Sequence, residues 1–353
     1  MNSPTIIPFG RETLEWIRQG GKPTRAGWSQ SFFLRWQSLW FEYSRSLQNR
    51  LPPAPPLAAD PVFILGLWRS GTTHLHDLLS ACPGMLYPAT WQCMSPASFQ
   101  LQSPPARGKS VKRPMDGMTI DSLSPQEDEF ALLATGVPSV YRGFFDPRRL
   151  PELTQCLDPS FWSYDRPEGW LSVWRQFLAG VADGRHGRLV LKSPNHSFRI
   201  NTLAECFPGA TFIWLVRDPA ETYFSNRKMW IAMFERYALW KWDDSVVDEF
   251  LCKAFKYASE CLLQATRLLP KECLSVVPFE HLTGKTLNIL ELLNDRLHLG
   301  NWREMHANIA NIVDARADYR PDFYPDSRLP DIVLKATEIL RIGQLRALSS
   351  HGL

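Results

Sequence analysis

The chain has 353 residues, enough for one large α/β domain or two small ones. Its 44% apolar and 21% charged residues describe an ordinary globular protein. The net charge of +3, from 39 basic and 36 acidic residues, gives no argument for a nucleic-acid partner or an anionic membrane. No apolar run approaches the roughly 18 residues of a membrane span. The start, MNSPTIIPFGRETLEW, lacks the basic-then-apolar layout of a signal peptide. Seven scattered cysteines show no CxxC and no metal spacing, so reduced thiols in a cytoplasm are expected.

In chain order, a short helix is predicted over Arg11–Gln19, then a stronger one over Ser29–Leu47. Phe32, Trp36, Leu39, Trp40, Tyr43 and Leu47 fall on one stripe of the second helix. That stripe is expected to pack on the core; the alternative is an interfacial helix touching lipid or a greasy substrate. Residues Pro52–Pro56 form a stiff connector. Val62–Leu65 is a buried-strand run, followed by a loop from Gly66 to Thr73. A helix follows from Thr72, with Leu75, Leu78 and Leu79 on one face. Strand, glycine-bounded loop and helix N-terminus aim backbone N–H groups at an anion.

The loop nearly matches the nucleotide P-loop GxxxxGK[ST], with Gly66 and Gly71 at the right separation. Thr72 replaces the lysine that reaches a triphosphate, and the cation sits earlier, at Arg69. The alternative to an anion site is a tight turn with a helix cap.

Gly84–Leu101 reads as irregular and Ser103–Pro114 as an exposed loop. Ser124, Pro125 and Glu127 have the layout of a helix N-cap, first turn and capping box, with the helix running to about Ala134. Residues 137–168 are aromatic and Pro-containing, and carry no clear pattern. Gly169–Ala182 is an amphipathic helix. Arg188–Lys192 is a strand that ends in Ser193-Pro194-Asn195-His196 and enters a helix through Cys206. Thr211–Val216 is the next strand, ending at Arg217, and Pro219 starts a helix carrying Tyr223 and Ser225. The stretch Asn226–Asp244 is rich in aromatics and Met; it is read as core, or alternatively as the lining of an acceptor pocket. Leu274–Pro278 is a further strand, with a helix near Leu287–Leu297 beyond it. The remainder is helix with loops, and Asp318–Pro330 an irregular surface segment.

Strands alternating with helices imply right-handed crossovers and a parallel sheet, whose ligands bind at the carboxyl strand ends. The 66–73 loop, Lys192–His196 and Arg217 all fall at such ends. The expected fold is a P-loop-containing nucleotide-hydrolase-like three-layer α/β/α with a central parallel sheet. It is read as a single domain over 1–353: a helical extension at 1–56, an α/β core at 57–300 and a helical segment at 301–353. At Arg217, a magnesium-binding NTPase would place an aspartate; a guanidinium repels a metal but can fork onto a phosphate.

These motifs carry a resemblance. RSGTT (Arg69–Thr73) after an apolar strand resembles the 5′-phosphosulfate loop of the sulfotransferases that use 3′-phosphoadenosine-5′-phosphosulfate (PAPS). LVRDPAETYFS resembles their 3′-phosphate site, an Arg at a strand end and a Ser eight positions on, here Arg217 and Ser225. LKSPNH and VPFEHL match secondary patterns, and QEDEFAL looks like a bacterial-type branch; together the resemblance covers Val62–Leu297.

The resemblance implies PAPS as donor, no metal, and a small-molecule, lipid-like or carbohydrate alcohol or phenol as acceptor. It implies that Arg69, Ser70, Gly71, Thr72, Thr73, Arg217 and Ser225 bind the donor. Arg69 would steady the leaving phosphate where the family commonly has Lys, a change that keeps the charge but removes any proton donor. Lys192 is a candidate for the leaving phosphate or the sulfonate oxygens. Glu129, Glu127 and His196 compete for the base; the alternatives are a solvated helix face, the capping box and a structural histidine. His74 and His76 are expected to pack or cap. The glycine- and lysine-rich C-terminal loop of well-studied members is not recognisable. Peripheral membrane contact is compatible with this reading. Two other classes fit the fold: a P-loop kinase or NTPase, and a non-catalytic nucleotide-binding protein.

Overall fold

Seven strands form among the described residues: β1 (Val62–Leu65), β2 (Met85–Leu86), β3 (Val111–Lys112), β4 (Thr119–Ile120), β5 (Arg188–Lys192), β6 (Thr211–Val216) and β7 (Leu274–Pro278). The computed structural model describes residues 9–24, 28–106, 110–113, 118–160, 169–315, 329 and 331–353. The expected loop at Ser103–Pro114 and the segment at Asp318–Pro330 lie partly or mostly outside these. The helices are α1 (Arg11–Gln19), α2 (Trp28–Gln48), α3 (Thr72–Ser80), α4 (Thr90–Met94), α5 (Glu129–Ala134), α6 (Gly169–Ala182), α7 (Ile200–Cys206), α8 (Pro219–Tyr237), α9 (Ser245–Leu268), α10 (Phe279–Gly284), α11 (Thr286–Leu297), α12 (Trp302–Ala315) and α13 (Asp331–His351). None of the described helices is long and apolar enough to cross a membrane.

The chain divides into two compact units, each assembled from separate segments. One comprises Ala58–Tyr87, Arg185–Lys228 and Asp248–Leu353 and contains the main sheet. The other comprises Met1–Leu57, Pro88–Gly184 and Met229–Val247.

In the sheet unit the order is β2-β5-β1-β6-β7, all parallel. β1 is central because its four residues are apolar on both faces, and all are fully buried. Val62 and Ile64 face Leu75, Leu78 and Leu79 of α3, Leu290 and Leu293 of α11 and Ile309 of α12. On the other face Phe63 stacks on Phe212, with ring centroids 5.3 Å apart, and also meets Phe207. This is the expected three-layer α/β/α arrangement with a central parallel sheet. Consecutive strands β5 and β6 flank β1, so the loops after all three emerge along one edge. The predicted strands 62–65, 188–192, 211–216 and 274–278 match residue for residue. Two-residue β2 was missed, being too short for any pattern.

In the helical unit the core is aromatic. Trp230 packs on Phe144 at 4.9 Å and on Tyr141, and Phe9 meets Phe145 edge-on. Met229, Trp230, Met233, Phe234 and Trp240 are all buried, so the aromatic stretch packs as core. Two expectations fail here. The helix expected from Ser124 begins at Glu129 instead. Backbone bonds Thr90 N–H to Ser124 C=O and Gln126 N–H to Pro88 C=O, with an Ala89–Pro125 bridge, hold 124–126 extended. Glu127 therefore precedes the helix instead of closing a capping box in its first turn, and its carboxylate accepts from the Tyr141 hydroxyl.

The second failure is the orientation of α2. Trp36, Leu39, Trp40 and Tyr43 are 54%, 71%, 57% and 57% exposed, whereas Ser38, Phe41 and Ser44 face inward. Phe41 joins Ala97 and Ala134 in a small cluster. The serines let α2 approach its neighbours closely, which its bulky stripe could not do. The Phe32 side chain lies outside the description.

Candidate active site

The loop after β1 is shaped by two glycines and one strained arginine. Gly66 has φ 140°, and a Cβ there would lie 2.5 Å from the Ser70 hydroxyl and 2.7 Å from the Leu215 carbonyl. Gly71 has φ 93°, and its Cβ would lie 2.2 Å from the Phe279 ring. Arg69 sits in the left-handed region at φ 67°, which costs on the order of 1 kcal/mol or more and must be held by its surroundings. Several bonds hold it. The Ser70 hydroxyl donates to Leu67 C=O at 2.7 Å, and the Asn226 amide donates to Trp68 C=O at 2.6 Å. The Ser197 hydroxyl accepts from Gly66 N–H at 2.8 Å and donates to Gly66 C=O at 3.2 Å, tying the loop to the segment after β5.

Gly71 caps α3 without a side-chain bond, and the N–H groups of Gly71, Thr72 and Thr73 donate to no described acceptor. These donors, with the helix dipole behind them, form a ready anion cradle. Ser70 and Thr72 are nearly buried and Thr73 is half-exposed.

Arg217 leaves the end of β6 and is 7% exposed. Its Nε and Nη2 both donate to Glu221 Oε2, at 3.2 and 2.8 Å, and Nη1 donates to the Arg69 carbonyl at 3.1 Å. A guanidinium has five N–H donors, so one remains on each terminal nitrogen. The guanidinium also lies 4.9 Å from the centre of the Phe279 ring. Arg69 Nε donates to the Ser225 hydroxyl at 3.0 Å. Arg69, Arg217 and Ser225 thus converge.

Other candidates are placed as follows. Lys192, 3% exposed, stands in register with Ile64 at the same sheet edge. His196 is fully buried, its ring edge-on to Phe63 at 5.6 Å. His76 is buried and bonded to Val190 C=O at 3.2 Å, a packing role, while His74 is half-buried. Glu127 and Glu129 belong to the helical unit, and Glu129 is fully buried. Between them Asp128 accepts from the Trp174 indole at 2.7 Å. No group of His, Cys, Asp or Glu able to hold a metal occurs among the described residues.

The sequence reading missed five residues: Ser197, Asn226, Glu221, Phe279 and Asn195. Only Glu221 left a readable signal, as the i,i+4 partner of Arg217. Asn195 is fully buried, and neither polar atom of its side-chain amide has a hydrogen-bond partner among the described residues. Such an orphan next to the site points to a ligand or a water. Ser225 is held on a fixed platform: the Tyr223 hydroxyl donates to Asp248, which also takes Arg227 Nε at 3.0 Å. Burial first, and then the Asp248 bond, raise the Tyr223 phenol well above its ordinary range, so it stays neutral.

A model of the sulfotransferase family matches residues 61–304. The omega-hydroxy-beta-dihydromenaquinone-9 sulfotransferases Stf3 of Mycobacterium bovis and Mycobacterium tuberculosis are each 30% identical over 272 residues, covering 76% of this chain and 70% of theirs. The crystal structure of sulfotransferase STF9 from Mycobacterium avium superposes with a TM-score of 0.66 at 17% identity, covering 100% of both chains. That of STF1 from Mycobacterium tuberculosis gives 0.64 at 17% identity, covering 93% of this chain and 90% of that one. At such identities the two structures bear on the fold alone.

Proposed function

The chain belongs to the sulfotransferase family, and from that premise we propose that it transfers a sulfonate group from PAPS to the hydroxyl of a lipid-like alcohol, in line and without a metal. The observation that carries the donor assignment is the two neighbouring sets of uncommitted hydrogen-bond donors in the sheet unit. The uncommitted N–H groups of Gly71, Thr72 and Thr73 suit a 5′-phosphate. Arg217, with two N–H groups left over, and Ser225 suit a 3′-phosphate. The acceptor class rests on the mycobacterial relatives, whose printed acceptor is a hydroxylated dihydromenaquinone. A cytoplasmic setting fits the cysteines, among which no disulfide is formed.

In the reaction, a bond forms between the acceptor oxygen and sulfur while the bond from sulfur to the 5′-phosphate oxygen breaks. Arg69 and the loop amides neutralise the charge left on the phosphate. Lys192 holds sulfonate oxygens. The acceptor proton goes to a base, for which Glu129 is the first candidate and His196 the second. Glu129→Gln and His196→Ala, each measured for turnover with nucleotide binding checked, decide between them; full turnover in both would move the base elsewhere.

Calorimetry tests the donor: tight binding of 3′-phosphoadenosine-5′-phosphate with weak binding of ATP is expected, and failure to bind it would sink the reading. A labelled-PAPS screen over hydroxylated quinones, other lipid alcohols, sugars and phenols tests the acceptor. Labelling of sugars alone would overturn the lipid assignment.

A further inference from the structure

Beyond Lys192 the strands β1 and β5 part. Their register pairs Ile64 with Lys192, so two residues further on Gly66 would face Pro194. In a continued parallel ladder Gly66 would donate to the Ser193 carbonyl and accept from the Asn195 N–H. Both groups are taken elsewhere. The Ser193 carbonyl accepts from the His196 N–H at 3.0 Å, and the Asn195 N–H donates to the Ser193 hydroxyl at 3.3 Å. A 3₁₀ turn over Pro194–Phe198 has used them.

The chain also leaves the two strands on opposite faces of the sheet. After β1, α3 packs on the face of Val62 and Ile64, whereas His196 and Phe207, after β5, meet Phe63 on the other. Strand ends that diverge in this way mark a ligand crevice. Gly66 is buried at the split, so its N–H and C=O need partners from the protein. The Ser197 hydroxyl serves both, accepting from the N–H at 2.8 Å and donating to the C=O at 3.2 Å. Ser197 is itself 0% exposed. One side-chain hydroxyl thus stands in for two ladder bonds.

Gly66 is also where the loop takes its direction. Its φ is 140°, the place of a Cβ lies 2.5 Å from the Ser70 hydroxyl, and that hydroxyl in turn holds the Leu67 C=O. A path of contacts therefore runs from Ser197 through Gly66 and Ser70 toward the uncommitted N–H groups of Gly71, Thr72 and Thr73. We propose that Ser197 is a positioning residue: its hydroxyl replaces the missing β5 ladder at Gly66 and sets the 66–73 loop in the geometry that receives a 5′-phosphate. It acts through Gly66 and not on a substrate. The identity of the anion rests on the donor reading above; the tether of the loop does not.

Two measurements on the full chain test it. The first needs no ligand: in S197A, hydrogen exchange at the Gly66 amide should speed up by roughly tenfold more than exchange at the β6 amides. The second compares 3′-phosphoadenosine-5′-phosphate with adenosine 3′-phosphate by calorimetry. The wild type should prefer the bisphosphate, and S197A should lower that preference by roughly tenfold, nearly all of it through weaker bisphosphate binding. Both affinities come from one preparation, so an unfolded fraction cancels in the ratio. S197T keeps the hydroxyl and should hold the wild-type ratio, even where the added methyl lowers the melting temperature. An unchanged ratio in S197A, or an equal loss in S197A and S197T, would overturn the proposal. So would exchange at Gly66 that rises no more than in β6. A wild type that binds neither nucleotide, while S197A still frees the Gly66 amide, sinks the donor reading and leaves the loop tether standing.

Discussion

Arg69 Nε and the Ser225 hydroxyl, 156 positions apart in the chain, are joined by a 3.0 Å hydrogen bond. Through the Arg69 carbonyl the same residue accepts from Arg217. One arginine in a left-handed conformation therefore connects the loop that suits a 5′-phosphate to the helix that suits a 3′-phosphate.

The proposed reaction gives Arg69 a role in the transition state more than in binding. We expect Arg69→Ala to lower single-turnover sulfonate transfer by about 10²-fold or more. The affinity for 3′-phosphoadenosine-5′-phosphate should fall by less than about tenfold, because the loop amides and Arg217 remain. Equal losses in rate and affinity would mean that Arg69 only holds the nucleotide.

Glu221 orients Arg217 but sets a negative charge beside the proposed 3′-phosphate. Glu221→Gln keeps an acceptor and removes that charge. The variant should be less stable without ligand by about 1–3 kcal/mol, since a nearly buried guanidinium loses its counter-ion. It should nonetheless bind 3′-phosphoadenosine-5′-phosphate roughly fivefold tighter, with no change for adenosine 5′-phosphosulfate, which lacks the 3′ group. Weaker binding of the bisphosphate, measured by calorimetry, would show that orientation by the carboxylate outweighs its repulsion.

Gly71 and Phe279 form a steric pair. Gly71→Ala should cost nucleotide affinity by about 10²-fold, from the 2.2 Å overlap and the positive φ together. Phe279→Ala in the same chain should recover part of it by removing the overlap, leaving the backbone strain. A double-mutant cycle on binding reads the coupling, and strict additivity would refute the pairing.

Asn195 holds a buried amide with no partner among the described residues, which costs stability unless a ligand or water meets it. Asn195→Ala should leave the melting temperature unchanged or raise it, while turnover falls by about tenfold. A drop in melting temperature with full turnover would mark the residue as structural.

Much of the site was legible because its parts are local. An apolar run between prolines and a glycine makes a buried strand, and a strand that stops at Arg217 places the charge at a sheet end. Gly66 and Gly71 mark a turn whose φ values other residues rarely adopt, so the loop after β1 could be drawn from the chain alone. Parallel pairing then brought Lys192 and Arg217 to the same edge as that loop.

What the sequence by itself determined was the four longer strands of the parallel sheet, the glycine-bounded loop after β1, the arginine that ends β6 and the serine of α8. These follow from short-range periodicity and backbone sterics. Only the tertiary structure decided that Arg69 bonds Ser225, that Phe279 fills the space a side chain at Gly71 would need, and that Ser197 laces Gly66. Those contacts join residues far apart in the chain, and no local window holds their geometry. The same holds for α2: helical spacing shows that Trp36, Trp40 and Tyr43 share a face, but which face turns inward depends on the neighbours. Phe41 and two serines gave the closer fit, and the aromatic row was left facing outward.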